Sequence, residues 1–81
     1  MGRFYFHVRD GDQLVADEEG QDLPDTSAAL REAILTAREL LANAIKSGKE
    51  RIPDAIVVAD ESGQPIETVP IAIVLPKALK L

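Results

Sequence analysis

Apolar and polar residues alternate strictly at the start of the chain. Phe4, Phe6 and Val8 occupy every second position, with Tyr5 and His7 between them. Because successive side chains of a strand point to opposite faces, this pattern predicts a strand with one apolar face. We expect Phe4, Phe6 and Val8 to face the core, and Tyr5 and His7 to lie on the opposite face of the sheet.

A tight turn follows this predicted strand. Asp10-Gly11 is a strong signal for a two-residue hairpin, whose mirror-image turn requires positive φ angles. The chain then returns in a short predicted strand over residues 13–16. Residues 17–22 are polar, and we predict a loop there.

The middle of the chain predicts one long helix. Residues 26–47 are rich in Ala, Leu, Glu and Arg, and Asp25 or Thr26 can accept hydrogen bonds from the free N–H groups of the first turn. Gly48 is suited to end the helix because glycine tolerates a positive φ. Apolar positions recur at helical spacing and predict a buried stripe of Leu30, Ile34, Ala37, Leu41, Ala44 and Ile45.

Two further strands are predicted after the helix. Residues 55–59 are wholly apolar, which is typical of a central strand, and residues 60–65 form a polar turn. Residues 66–75 are predicted to return as the last strand, interrupted at Pro70. Because proline cannot donate to the hydrogen-bond ladder, we place this strand at an edge of the sheet.

These elements predict a single domain over residues 1–81 with an α+β fold. Its arrangement is ββαββ, an antiparallel four-stranded sheet with one long helix packed on one face. The spatial order second, first, third, fourth makes every pairing antiparallel and places the strand that contains Pro70 at an edge.

Composition narrows the classes of function. The chain has no cysteine, which excludes disulfides and thiolate zinc sites, and its net charge of -5 disfavours binding to nucleic-acid phosphates. No apolar run approaches the ~20 residues of a membrane span, and the first residues lack the apolar stretch of a secretory signal. We therefore expect a cytoplasmic protein with no membrane partner.

Four short motifs carry a resemblance to a known family. They are Arg-Phe-Tyr-Phe-His-Val-Arg-Asp-Gly at residues 3–11, Glu-Gly at 19–20, Ala-Arg-Glu-Leu-Leu at 37–41 and Thr-Val-Pro at 68–70. In this order they resemble a family of small bacterial proteins classified as a domain of unknown function. The resemblance covers almost the whole chain. It implies no activity, cofactor or catalytic residue.

Seven carboxylates, with no lysine or arginine among them, lie between residues 10 and 25. Hard cations such as Ca²⁺ need several oxygen ligands that converge within a short loop. The spacing does not match a helix–loop–helix calcium site, because Leu14 follows Asp10 and Asp12 and the required glycine is misplaced. We interpret the seven as turn, capping and solvated groups, with a metal or small-ligand site in loop 10–25 as the alternative. They are Asp10, Asp12, Asp17, Glu18, Glu19, Asp22 and Asp25.

His7 is the single histidine, and histidine is the usual acid–base group near neutral pH. No recognisable catalytic motif includes it, so we interpret His7 as a packing residue between strands. Arg3 and Arg9 flank Tyr5 on the same face, a sparse version of the aromatic and basic platforms that bind single-stranded nucleic acid. A nucleic-acid-associated or antitoxin-like regulatory protein is therefore an alternative.

The chain contains more apolar sequence than one helix can cover. A sheet with one covered face should carry polar residues on its other face, yet residues 55–59 and 71–75 are apolar at every position. Contiguous exposed apolar surface is typical of protein interfaces. Leu35 also lies away from the predicted helical stripe. The candidate interface residues are Tyr5, His7, Leu35, Val57, Ile71, Ile73 and Val74.

The sequence thus favours a small, non-enzymatic interaction or accessory protein that forms a homodimer or binds an unidentified protein. Burial of the open sheet face, or of the edge of the last strand, would hold the partners together. No residue is predicted to be catalytic or to bind a cofactor or metal, since no nucleophile–base pair, ligand set or cofactor motif is recognisable.

Overall fold

The computed structural model describes residues 2–76. Within them, five β-strands and one α-helix are followed by a short 3₁₀ helix. The elements are β1 (Gly2–Asp10), β2 (Gln13–Val15), β3 (Gln21–Leu23), α1 (Thr26–Lys46), β4 (Ala55–Ala59), β5 (Pro65–Pro70) and the 3₁₀ helix (Ile71–Val74). The helix packs on one face of an antiparallel sheet, which confirms the predicted α+β fold.

The main path of the sheet has the order β2-β1-β4-β5, and every pairing is antiparallel. This order confirms the prediction, with β4 and β5 as the third and fourth predicted strands. The register places Phe6 opposite Val58 and His7 opposite Val57. Directly opposite residues share a face, so Phe6 and Val58 point towards α1 while His7 and Val57 point away from it.

A fifth strand, β3, lies in the segment that was predicted to be a loop and corrects the four-stranded prediction. It pairs with the first residues of β1, from Gly2 opposite Leu23 to Phe4 opposite Gln21. β1 is nine residues long, and β2 pairs only with its last three. The backbone N–H and C=O groups in the N-terminal half of β1 therefore need another hydrogen-bond partner, and β3 supplies it. The sequence of β3 alone does not predict this pairing.

The predicted strand beyond Pro70 is wrong. β5 ends at Pro70, and the chain continues as the 3₁₀ helix. The N–H of Ile71 donates to the carbonyl of Asp54 at 2.9 Å, which continues the register of β4 and β5 by one position at the start of the 3₁₀ helix. Ile71 is fully buried in the core, so this apolar run covers the interior beside α1 instead of extending the sheet.

The core lies between the sheet and α1, as the alternation in β1 predicts. Phe4 and Phe6 are buried there with Ile56 and Val58, while Val8 is half-buried at the margin. Small side chains of the helix face these large ones, which lets the two layers pack closely. The buried residues of α1 are Ala29, Ala33, Ala37, Leu41 and Ala44.

The buried side of α1 is rotated from the predicted stripe. Leu30 and Ile34 are only half-buried, and Ile45 is 61% exposed. Ala29 and Ala33, outside the predicted stripe, are fully buried. The reason is steric: the aromatic side chains of β1 fill the layer between sheet and helix, so alanines fit beneath the helix and the longer aliphatic side chains lie along its flanks.

Both ends of α1 are capped as predicted. The Asp25 carboxylate accepts a hydrogen bond from the N–H of Ala28 at 2.9 Å. Beyond the last turn Gly48 has a φ of 70°, and its N–H donates to the carbonyl of Ile45 at 3.1 Å. These contacts define the length of the helix and, with the buried alanines, which of its residues face outward.

Candidate functional site

A gap in the sheet edge brings Asp17 and His7 together. β2 and β3 pair with opposite ends of β1, and residues 16–20 connect them without joining either strand. Inside the gap the N–H of Phe6 donates to Asp17 Oδ2 at 3.1 Å. The carboxylate thus takes the place of the carbonyl that a continuous edge strand would supply.

His7 is held by the backbone of the same gap. The N–H of Asp17 donates to His7 Nδ1 at 3.0 Å. Because Nδ1 can accept only when it carries no proton, neutral His7 has its proton on Nε2 in this arrangement. The Tyr5 ring stacks beside the imidazole, with ring centroids 6.3 Å apart and planes inclined by 16°. His7 therefore makes a structural contact between β1 and the connecting segment.

Asp17 also organises the residues that follow it. Its Oδ1 accepts hydrogen bonds from the N–H groups of Glu19 and Gly20, each at 3.2 Å. Partial burial would raise the pKa of Asp17, but the three backbone N–H groups that donate to it, with the neighbouring His7, lower that pKa below its ordinary value. The ionised carboxylate is therefore the form that holds the gap together.

Gly20 lets the chain pass close to β1. Its φ is +69°, and a Cβ added there would lie 2.8 Å from the carbonyl oxygen of Phe4 and 2.9 Å from Cε1 of Tyr5. A side chain would therefore need both an unfavourable backbone conformation and a displacement of the strand. Gly20 of the Glu-Gly motif at residues 19–20 therefore allows the chain to lie close to β1.

An open, acidic groove of about 420 Å³ lies beside the gap, on the face of the sheet away from α1. It is shallow, unlike the enclosed sites that bury most of a small ligand. Three of its lining side chains are carboxylates, which disfavours an anionic ligand. The lining residues are Tyr5, His7, Asp17, Glu18, Glu61, Ser62 and Gly63.

The far rim of the groove is shaped by the turn between β4 and β5. Asp60 Oδ1 accepts a hydrogen bond from the Ser62 hydroxyl at 2.7 Å and another from the N–H of Gln64 at 3.0 Å. These bonds lower the pKa of Asp60 below its ordinary value. Glu61 Oε1 accepts a hydrogen bond from the N–H of Arg3 at 2.8 Å, which connects the turn to the start of β1.

The carboxylates of loop 10–25 are distributed among different structural partners. Asp10 forms an ion pair with Arg51 at 3.2 Å, and Asp22 pairs with Arg3 at 3.1 Å, which raises the pKa of the arginine. Two more are the gap carboxylate and the helix cap described above. Among residues 2–76, no group of three or more histidine or acidic side chains is placed to hold a metal ion.

The candidate interface residues do not form one surface. Tyr5 and His7 are half-buried on the sheet face away from α1. Leu35 is 48% exposed on the outer side of the helix, and Ile73 of the 3₁₀ helix is 62% exposed. The sheet lies between the first pair and Leu35, so the structure separates them.

The other candidates are largely covered within one chain. Val57 is only 3% exposed, and it lies in the central strand between His7 on β1 and Thr68 on β5. Ile71 is fully buried, and Val74 packs against the core. The wholly apolar sequence of β4 therefore reflects its two neighbouring strands and not an open apolar face.

The outer side of α1 contains a depression of about 220 Å³. It is bordered by Leu35, by half-buried Ile34 and by the exposed residues Arg31 and Arg38. The sequence predicts Leu35 as a candidate interface residue because it lies away from the helical stripe. The depression itself depends on how α1 is rotated on the sheet, which the stripe did not predict correctly.

Comparison with protein-family models identifies the family of this chain. The model for a domain of unknown function, DUF6894, matches residues 3–72. The chain belongs to the DUF6894 family. This confirms the predicted resemblance to a domain of unknown function over most of the chain. The DUF6894 match extends from β1 into the 3₁₀ helix and includes both the gap at Asp17 and the outer side of α1.

Comparison of this DUF6894 chain with curated proteins and with solved structures gave no significant match. Neither helix described within residues 2–76 has the length and apolar character required to cross a membrane. Functional interpretation therefore depends on the two surfaces described above, the acidic groove and the outer side of α1.

Proposed function

We propose that this DUF6894 protein is a small, non-enzymatic interaction module that acts by self-association. The observation that carries the proposal is the 48% exposure of Leu35 in the middle of the outer side of α1. A single exposed leucine is common on protein surfaces. Here it borders a depression together with Ile34, Arg31 and Arg38, so the apolar surface is concave and can receive a side chain.

Burial of this surface would stabilise an association. Complete burial of a leucine side chain contributes about 1.5–3 kcal/mol. Leu35 is about half exposed in one chain, so roughly half of that amount is available from each copy in a symmetric contact. The contribution is modest, which favours a reversible homodimer over a permanent one.

The chemistry of the groove supports a non-enzymatic role. His7, the natural acid–base candidate, already accepts a backbone hydrogen bond at Nδ1, and the carboxylate of Asp17 accepts three. Both groups are thus used to join β1 to the connecting segment. Catalytic groups are instead expected to face a substrate position with a partner that prepares them for reaction.

Two arginines that form ion pairs give little support to a nucleic-acid partner. Arg3 is paired with Asp22, and Arg51 is paired with Asp10, so their charges are offset by carboxylates. Affinity for phosphates requires basic groups that exchange their counterions for phosphate.

We include in the proposal a bacterial, cytoplasmic accessory role, which the resemblance of the opening motif and the cysteine-free composition support.

Sedimentation equilibrium from micromolar to millimolar concentration tests the proposal. We expect the mass to rise from 8.8 kDa towards about twice that value as the concentration increases. A constant monomer mass over the whole range would exclude self-association as the function.

The thermal midpoint should also be unchanged by Ca²⁺ or Mg²⁺ at ~1 mM, the weak end of calcium sites. A saturable rise that is lost in Glu18→Gln would instead favour the cation-binding alternative.

A further inference from the structure

The outer side of α1 carries three lines of residues that repeat every seven positions. Positions seven apart lie nearly in line along a helix, because two turns contain about 7.2 residues. The middle line is apolar. Arginines form a line on one flank of it, and glutamates form a line on the other flank. The three lines are Ala28, Leu35 and Ala42; Arg31 and Arg38; and Glu32 and Glu39.

This side is turned away from the rest of the chain. Arg31, Leu35, Arg38, Glu39 and Ala42 are all exposed. The buried residues of α1 lie on the opposite side of the helix, against the sheet. A second helix can therefore approach the outer side of α1 without meeting the sheet.

The two flanks of the apolar line have opposite charge. With about 100° per residue, the arginines lie roughly 40–60° to one side of Leu35 and the glutamates lie equally far to its other side. Helical ion pairs form between residues three or four apart, and at those spacings these four charged residues have only uncharged neighbours. Among residues 2–76, none of the four forms an ion pair. Their arrangement does not stabilise an isolated helix, but it suits contact with a facing helix.

The orientation of two identical helices decides which of their flanks face each other. In a parallel pair the two-fold axis runs along the helices, so each flank of one helix lies against the opposite flank of the second copy. In an antiparallel pair the axis is perpendicular to the helices, so each flank lies against the same flank of the second copy. Arginine therefore meets glutamate only in the parallel pair, whereas the antiparallel pair places arginine against arginine and glutamate against glutamate.

We propose that α1 pairs with α1 of a second copy in parallel orientation and in register, with Leu35 facing Leu35. Arg31 then lies against Glu32 of the second copy. Arg38 lies against Glu39 in the same manner. The members of each pair differ by one position along the helix, about 1.5 Å. The two-fold symmetry forms each contact twice, so the dimer contains four oppositely charged pairs. The proposal rests on the proposed self-association and names its surface and orientation.

The depression beside Leu35 suits the same orientation. Residues 31, 34, 35 and 38 border it, so it lies on the arginine flank, and four residues at this spacing form the hole that receives one side chain from a facing helix. Two leucines that face each other cannot both occupy the two-fold axis, so each lies to one side of it. Because the arginine flank of one copy lies against the glutamate flank of the other, a Leu35 that leans towards its own glutamate flank enters the depression of the second copy. The two-fold symmetry makes this contact reciprocal.

The charged and apolar contacts have different roles. Exposed ion pairs contribute little affinity, so the charged residues mainly define orientation and register. Burial of Leu35 supplies the affinity, and Ala28 and Ala42 lie opposite their own equivalents, where small side chains let the helices approach. α1 has 21 residues and is about 31 Å long, so this single-helix contact is at the small end of protein interfaces. We expect a dissociation constant in the micromolar range or higher.

A charge exchange tests the pairing by sedimentation equilibrium. Arg38→Glu places a carboxylate against Glu39 at both symmetric contacts, and we expect the dissociation constant to increase about fivefold to tenfold. In an antiparallel pair the same variant would instead place a carboxylate against Arg31 and strengthen the dimer. The double variant Arg38→Glu with Glu39→Arg restores opposite charges at the wild-type net charge and should recover dimerisation. Arg9→Glu is the matched control, because it makes the same change of charge on the sheet face away from α1. Circular dichroism should show the same helix content in every variant.

Cysteine cross-linking tests the orientation independently of charge. The chain has no cysteine, so an introduced one is the only source of disulfide. The parallel pair places Ala42 opposite Ala42, so Ala42→Cys alone should form disulfide-linked dimers on mild oxidation. Ala28 and Ala42 are 14 positions apart, about 21 Å, well beyond the ~7 Å limit of a disulfide. A mixture of Ala28→Cys and Ala42→Cys chains should therefore form no mixed dimers. Gln64→Cys, in the exposed turn between β4 and β5, is the control and should not cross-link.

The outcomes separate this inference from the proposed function. A wild-type protein that remains monomeric overturns both. A wild-type dimer that Arg38→Glu leaves unchanged preserves self-association and overturns the helix-pair surface. A dimer that Arg38→Glu strengthens, with cross-links only between Ala28→Cys and Ala42→Cys chains, preserves the surface and overturns the parallel orientation. Weakening by Arg38→Glu, recovery in the double variant and cross-linking of Ala42→Cys alone support the inference.

Discussion

On the inner side of α1, alanines face aromatic rings, whereas on the outer side a leucine is half exposed between two arginines. Ala29, Ala33 and Ala37 are fully buried, and Leu35 is 48% exposed. Hydrophobicity alone predicts the reverse, with Leu35 on the inner side and the alanines on the outer side. The deciding factor is the space between the layers, because the rings of Phe4 and Phe6 occupy most of it.

This difference shows that side-chain volume, and not only polarity, positions the helix on the sheet. Interiors are packed to near-crystalline density, so a layer with large residues on one side needs small ones on the other. Once that requirement is met, Leu35 lies on the outer side of α1 and is left half exposed. The outer side then carries apolar surface that a second molecule can cover.

The largest effect is expected where the two layers meet. Phe6→Ala should reduce the free energy of unfolding by about 3–5 kcal/mol, because it leaves a cavity between the sheet and the alanines of α1. That loss is a large part of the stability of a domain this small. Chemical denaturation at low concentration measures it. His7→Ala, on the other face of the same strand, is the control and should cost clearly less. Equal losses would show that the aromatic layer is not the main source of stability.

Overpacking gives the next largest effect and compares the two sides of α1 directly. Ala33→Leu adds volume where no space exists and should reduce the free energy of unfolding by about 1–3 kcal/mol, although leucine is more hydrophobic. Ala42→Leu makes the same change on the outer side and should alter it by less than about 0.5 kcal/mol. Thermal unfolding at micromolar concentration measures both. Similar losses in the two variants would contradict the packing argument.

Sequence patterns predict the elements whose signals are local. The alternation at Phe4 and Phe6 and the capping residues Asp25 and Gly48 each depend on neighbouring residues, and the structure confirms them. The predicted hairpin also forms, but its two loop residues are Gly11 and Asp12 instead of Asp10 and Gly11, and only the glycine has a positive φ. β3 depends instead on backbone groups of β1 that are distant in sequence. Two of its three residues are polar, and they show no strand pattern.

The candidate sites were predicted less well for the same reason. Leu35 was noted because it departs from a local stripe. The apolar sequences around Val57 and Ile71 predict interface residues, but both side chains are buried within the chain. The role of Asp17 in joining two strand segments was not predicted, since seven carboxylates of similar sequence context surround it.

A smaller effect is expected at the gap in the sheet edge, away from both sides of α1. The pKa of Asp17 is lower in the folded chain than in the unfolded chain, so its contribution to stability is complete above the unfolded pKa. It is lost as the pH falls through the lower, folded pKa. Asp17→Asn should therefore be less stable by about 1 kcal/mol at neutral pH, and the difference should shrink below about pH 4.

Urea unfolding from neutral to acidic pH measures this difference. Glu39→Gln on the outer side of α1 removes one charge without disturbing a described hydrogen bond, and it is the matched control. If Asp17→Asn and Glu39→Gln show the same pH dependence relative to wild type, the acid sensitivity does not come from the gap.

The smallest effect on the folded monomer, and the one that most sharpens the comparison of the two sides, is expected for Leu35→Ala. Alanine has the higher helix propensity, and the leucine side chain has little to lose on the outer side. At concentrations where the protein is monomeric, the free energy of unfolding should therefore change by less than about 0.5 kcal/mol. At high concentration, association stabilises only the folded wild-type chain, so its thermal midpoint should rise with concentration while that of Leu35→Ala rises less. A loss above about 1 kcal/mol in dilute solution would mean that Leu35 belongs to the core after all. Equal concentration dependence in the two proteins would mean that the dimer, if it forms, uses another surface.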